Sequence, residues 1–101
     1  MNISSKFSNN HALITVTGEI DTLNAEKLLG ELEALLKDAQ NIDFDLEAVS
    51  YISSAGIRTL LTAAKMAEKR GGTLAVVKAS EFVREILTMV GLDKALMNNP
   101  V

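Results

Sequence analysis

The spacing of apolar residues constrains this chain most. It changes from every second residue to every third or fourth and back again, so strands and helices must alternate along the sequence. Ala12, Ile14 and Val16 alternate with Leu13, Thr15 and Thr17 before Gly18, the period-two pattern of a strand with one face more apolar than the other. From Ala25 the spacing becomes helical: Ala25, Leu28, Leu29, Leu32, Leu35, Leu36 and Ala39 form a stripe, and Glu26, Lys27, Glu31, Glu33 and Lys37 take the polar side. Asp21, Thr22 or Asn24 would cap the first turn. Period two returns at Ile42 to Leu46, where Ile42, Phe44 and Leu46 share a face and Asp43 and Asp45 take the other. Burying both carboxylates unpaired would be prohibitive, so that second face is expected to be wet.

The remaining segments follow the same alternation. Ile3 and Phe7 bracket Ser5 in a first short strand, and Asn9-Asn10 supplies turn chemistry for a hairpin into the second. After a short Ala48 to Ile52 segment, Ile57, Leu60, Leu61, Ala64 and Ala67 predict a second helix that closes at Gly71-Gly72. Thr73 to Val77 reads as the fourth strand. Ser80 would cap a third helix with Phe82 or Val83, Ile86, Leu87 and Val90 inside and Gly91 at its end, and Leu92 and Leu96 suit a last turn. The order strand, strand, helix, strand, helix, strand, helix calls for parallel crossovers after an initial hairpin. An α/β fold is expected, with a mixed four- to five-stranded sheet. Because strands two and three alternate, the helices should pack mainly on one face of it.

A length of 101 residues suits one domain over 1–101. Charge interrupts every apolar stretch well short of the roughly 20 residues needed to cross a bilayer, and residues 1–7 lack the apolar core of a secretory signal. A cytoplasmic protein with no membrane partner is expected. The absence of cysteine removes disulfides, thiolate catalysis and cysteine-based zinc sites, and suits a reducing compartment. Thirteen acidic against ten basic residues give a net charge of −3. With no basic cluster beyond Lys69-Arg70, a nucleic-acid partner is not expected.

The sequence offers little to a catalyst. His11 is the only histidine, has no second imidazole to join it in a metal site, and reads as an exposed turn residue. Nothing places it near a serine at a nucleophile elbow. Gly71-Gly72 ends a helix instead of opening one, so no phosphate-binding glycine loop is present. Glu19 and Asp21 flank Ile20 as paired carboxylates, but a strand end and a helix start more often hold solvated or capping acids. No enzyme activity, cofactor or metal is expected. Ser53-Ser54-Ala55-Gly56 stands out between a strand-like segment and the second helix. Capping alone accounts for both serines, and a helix N-terminus would also tolerate a phosphate through its free amides and dipole.

The stretch from Asp45 through Ser53-Ser54-Ala55-Gly56-Ile57-Arg58 to Leu61 resembles the signature of STAS-domain anti-sigma factor antagonists. Gly18-Glu19-Ile20-Asp21, Asn24-Ala25, Gly71-Gly72 and Gly91-Leu92 extend the resemblance over nearly the whole chain. It implies a STAS-type fold and a phosphorylated serine two places before the glycine, which is Ser54 here. Ser53 stands where many members have aspartate. That departure leaves the relevant hydroxyl in place, makes Ser53 a candidate second acceptor, and removes one charge available to a docking kinase.

The resemblance further implies partner switching. The unphosphorylated protein would bind an ATP-dependent anti-sigma factor serine kinase and free its sigma factor; phosphorylation would end that binding, and a PP2C-like phosphatase would restore it. Partner-binding residues would be Glu19, Asp21, Ser53, Ser54 and Gly56, together with Arg58, Thr59 and Thr62 on the outer side of the second helix, where Met66 suits edge packing more often than a contact. The free protein is expected to be a monomer. Two other classes stay open: a STAS scaffold or regulatory subunit of a larger signalling or lipid/anion transport complex, with Ser54 only a cap, and a small phosphate-handling enzyme, which the missing catalytic residues disfavour.

Overall fold

Asn9 and Asn10 both adopt positive φ, 46° and 69°, as a two-residue turn must if it is to match the twist of the strands it joins. It links β1 (Asn2–Ser8) to β2 (His11–Ile20) in an antiparallel hairpin. The computed structural model describes residues 1–97, and the remaining elements are α1 (Thr22–Leu36), β3 (Asn41–Ile52), α2 (Ser54–Lys69), β4 (Thr73–Ala79), α3 (Glu81–Met89) and a last helical turn (Asp93–Met97). The sheet runs β1-β2-β3-β4, with β2, β3 and β4 mutually parallel.

Register explains the core. Ala12, Ile42 and Leu74 lie side by side across the three parallel strands, as do Ile14, Phe44 and Val76, and all six are buried. Leu28, Leu32 and Leu36 of α1, Leu60, Ala63 and Ala67 of α2, and Val83 and Leu87 of α3 close over these rows in one hydrophobic cluster. Leu96 from the last turn is also fully buried in it. The fold class is thus the expected α/β arrangement, with four strands.

Several local expectations change. The Ala48 to Ile52 segment is not separate but continues β3, because two extra residues in β3 shift its pairing with β2. Each bulge moves the inward position by one. The buried residues therefore go from Leu46 to Val49 to Ile52 at a spacing of three. β2 likewise passes through Gly18, which has φ +95° opposite Val49, and ends at Ile20. β4 runs two residues past Val77, where a shift in register leaves that residue exposed.

On α2 the buried face is Gly56, Thr59, Leu60, Ala63 and Ala67, with Ile57, Leu61 and Ala64 at its half-buried margins. Val83, not Phe82, faces inward on α3, and Val90 is exposed. Both helices end as their glycines predict. Gly72 N–H donates to Ala67 O at 2.8 Å and Leu92 N–H to Leu87 O at 2.8 Å, each across a left-handed glycine. His11 stands just past the turn and, unlike the isolated residue expected, has a partner. It opens β2, and its Nε2 lies 2.8 Å from Oδ2 of Asp43 on β3, with side chains 44 % and 33 % exposed. Asp43 and Asp45 are both half-buried, not fully wet. Asp45 uses its carboxylate to accept the Glu47 N–H at 3.0 Å, beside the first bulge.

Candidate functional site at the ends of β2 and β3

β2 and β3 end together: Ile20 pairs with Ile52, and the Ser53 N–H donates to the Ile20 carbonyl at 2.8 Å. Each strand passes at once into a helix, so the N-termini of α1 and α2 emerge side by side at the C-terminal edge of the sheet. Ligands of open α/β sheets commonly bind at this edge.

Asp21 caps α1. Its Oδ1 accepts the Asn24 N–H at 2.9 Å, and Asn24 Oδ1 accepts the Asp21 N–H at 2.9 Å. Asn24 Nδ2 also donates to the Glu19 carbonyl at 2.9 Å, which ties the end of β2 to the first turn of the helix. Asp21 is thus half-buried and occupied as a cap, while the Glu19 side chain is exposed. Of the candidate caps Asp21, Thr22 and Asn24, two share the work in a reciprocal box.

Ser53 caps α2: its Oγ accepts the Gly56 N–H at 3.1 Å, and the residue is only 6 % exposed. Ser54, the first residue of the helix, is exposed. Gly56 sits so close to the strands that a Cβ there would lie 2.8 Å from both Ile20 Cγ2 and Ile52 Cγ1. The glycine of the motif is therefore a packing requirement. It holds the first turn of α2 against the strand ends and leaves Ser54 at the surface.

α1 and α2 are joined by the Thr59 hydroxyl, which donates to the Ala25 carbonyl at 3.3 Å. Thr59 is 6 % exposed and lies at the floor of the groove between α1 and α2, not on the outer side of α2 as expected. Gly56 and Ser53 are also buried, at the start of α2. Met66 is half-buried against the core. Of the expected contact residues, Glu19, Ser54 and Arg58 are exposed and Thr62 is half-buried. Arg58 and Thr62 line a groove of about 510 Å³ between the helices, opposite Leu23, Glu26 and Leu29.

Sequence reasoning missed two apolar features. Leu23 is 90 % exposed on the rim of that groove, and Tyr51 packs against Phe82 at the β3 end with ring centroids 5.6 Å apart and the planes tilted by 40°. Leu23 falls outside the Ala25–Leu28–Leu32 stripe, which was the available signal. The Tyr51–Phe82 pair joins elements far apart in sequence and had none.

The curated relatives include the anti-sigma-B factor antagonist of Bacillus subtilis (strain 168), 29 % identical over 92 residues, covering 91 % of this chain and 84 % of that protein. BtrV of Bordetella bronchiseptica, a protein named for the same role, is 36 % identical over 75 residues, covering 73 % of this chain and 65 % of BtrV. Among solved structures, the anti-sigma factor antagonist SpoIIAA in its unphosphorylated form superposes with a TM-score of 0.82 at 20 % identity, over 95 % of this chain and 86 % of the other. The Bacillus cell fate determinant SpoIIAA in its phosphorylated form gives 0.76 at 18 %, over 95 % and 89 %. At those identities the likeness is one of fold. The family model described as the STAS domain matches residues 2–100, and the chain belongs to the STAS-domain family, whose anti-sigma factor antagonists its sequence resembles.

Proposed function

We propose that this chain is a non-catalytic, cytoplasmic anti-sigma factor antagonist working as a phosphorylation-controlled partner switch. Unmodified at Ser54, it binds an anti-sigma factor serine kinase and frees the sigma factor. Phosphorylated, it releases the kinase, and a PP2C-like phosphatase resets it. The observation that carries this reading is the division of labour between adjacent serines. Ser53 is buried with its oxygen committed to the Gly56 amide, whereas Ser54 is exposed at the start of the helix. A kinase must bring the acceptor hydroxyl into its own site, and only Ser54 can be offered without unwinding the cap.

The surroundings suit a switch at an interface. Glu19 is exposed beside the strand ends and Asp21 lies at the neighbouring cap. A phosphate would add about 1.5 to 2 negative charges to this acidic margin and hold water that a docking partner must strip away. At the helix N-terminus the same group meets a favourable dipole worth about 0.3 to 1 kcal/mol, so the fold should survive modification.

Incubation with an anti-sigma factor serine kinase and ATP, followed by phosphosite mapping by mass spectrometry, tests the assignment. Phosphate on Ser54 is expected. Phosphate on Ser53 alone would move the switch by one residue and contradict the burial argument. Stable binding of a transport or scaffold complex, with no kinase acting on either serine, would favour the alternative in which Ser54 serves only the helix start.

A further inference from the structure

We propose that Arg58 is the intramolecular partner of the Ser54 phosphate, so that modification withdraws a guanidinium from the groove between α1 and α2 as well as adding an anion. The inference rests on reading Ser54 as the phosphorylated residue. Ser54 opens α2 and Arg58 follows four residues later, a spacing that puts two side chains on one helix face with Cβ atoms about 5–6 Å apart. Both are exposed. Arg58 forms no salt bridge with any described residue, and it is the only cation in the first two turns of α2, Ser54 to Leu61. The strand end and cap beside it supply only acids, Glu19 and Asp21.

In the unmodified chain Arg58 lines the groove, with Glu26 among the residues on the opposite wall. A phosphate on Ser54 changes that balance. It carries nearly two charges and three acceptor oxygens, and the planar guanidinium fork can bond it bidentately, which no single exposed carboxylate across a groove can match. A rotamer change of one long, unpaired side chain is all the pairing requires. The switch would then have two components at one helix face: an anion gained at Ser54, and a cation lost from the wall that a partner would contact. Aspartate at position 54 would carry one charge on a shorter side chain, so Ser54→Asp would capture Arg58 poorly and mimic the modification incompletely.

The test uses the full chain with phosphoserine incorporated at position 54 during translation, which makes the result independent of any kinase. The phosphate is titrated by phosphorus NMR in the otherwise natural sequence and in Arg58→Gln and Arg58→Lys, with circular dichroism to verify folding. Pairing with Arg58 favours the dianion, so its protonation constant should be about threefold lower in the natural sequence than in Arg58→Gln. Arg58→Lys should fall between them, and the Arg58 Nε resonance should move as the phosphate ionises. Superimposable curves for the natural sequence and Arg58→Gln would overturn the pairing. The parent reading fails differently: a kinase that leaves Ser54 unmodified in the natural chain would remove the switch while the titration difference persisted.

Discussion

The Ser53 Oγ accepts the Gly56 N–H at 3.1 Å, and through that bond a buried serine holds the first turn of α2 while its neighbour, Ser54, remains in solvent. Removing the bond should loosen the helix start without touching the acceptor. Ser53→Ala is expected to lower stability by about 1 kcal/mol, measured by urea unfolding, and to remain a kinase substrate. Ser53→Asp, which also caps, should lie within a few tenths of a kcal/mol of the natural chain. A Ser53→Ala protein as stable as the natural one would show that the cap contributes nothing.

Gly56 offers a sharper stability test. A methyl group there would meet Ile20 Cγ2 and Ile52 Cγ1, each 2.8 Å from the Cβ position, and both isoleucines are buried in the core. Overpacking of this kind typically costs about 1–3 kcal/mol. Gly56→Ala should lose stability in that range despite alanine's better helix propensity. A neutral or stabilising result in urea unfolding would mean that the strand ends yield easily.

Thr59 separates packing from recognition. Its hydroxyl donates to the Ala25 carbonyl between two buried helix faces, so Thr59→Val should cost about 0.5–1.5 kcal/mol by losing that hydrogen bond. Partner affinity, measured by calorimetry on the folded variant, should not change. Arg58→Ala should do the opposite, since Arg58 is exposed and lines the groove. Its stability should stay within about 0.5 kcal/mol of the natural chain, and its partner affinity should fall. Equal affinity losses in the two variants would contradict this division.

The His11–Asp43 pair spans β2 and β3 at 2.8 Å, but both side chains are substantially exposed. Solvent screening limits such pairs, so Asp43→Asn should cost no more than about 1 kcal/mol. Differential scanning calorimetry in low and high salt checks this. A much larger loss, insensitive to salt, would mark the pair as part of the core.

These residues also show how much of the molecule the sequence disclosed. The hairpin at Asn9-Asn10, the α1 stripe and the glycine-terminated helices follow from local rules, and the structure contains each of them. The path of β3 does not follow from such rules. Its two extra residues break the period-two pattern on which strand reading depends, so Ala48 to Ile52 reads as a separate piece until pairing with β2 is known. Val90 fits the helical stripe of α3 but lies past the helix's last residue and is about half exposed. At the site, the motif located the β3–α2 junction, but two adjacent hydroxyls are equivalent in sequence. Their difference arises because β3 enters the helix with Ser53 turned inward to the Gly56 amide. Thr59 reads as an outer residue for a related reason: a polar residue on a helix suggests solvent, and only the packing of α1 supplies the buried carbonyl that satisfies it.

The most direct measurement is a binding titration of the full chain, unmodified and carrying phosphoserine at position 54, against an anti-sigma factor serine kinase. Calorimetry gives the affinities, and circular dichroism establishes that both forms are folded. The unmodified chain should bind, and the phosphorylated chain should bind at least about tenfold more weakly, since the added charge and its water would lie on the proposed docking face. Equal affinity for the two folded forms would contradict a switch at Ser54.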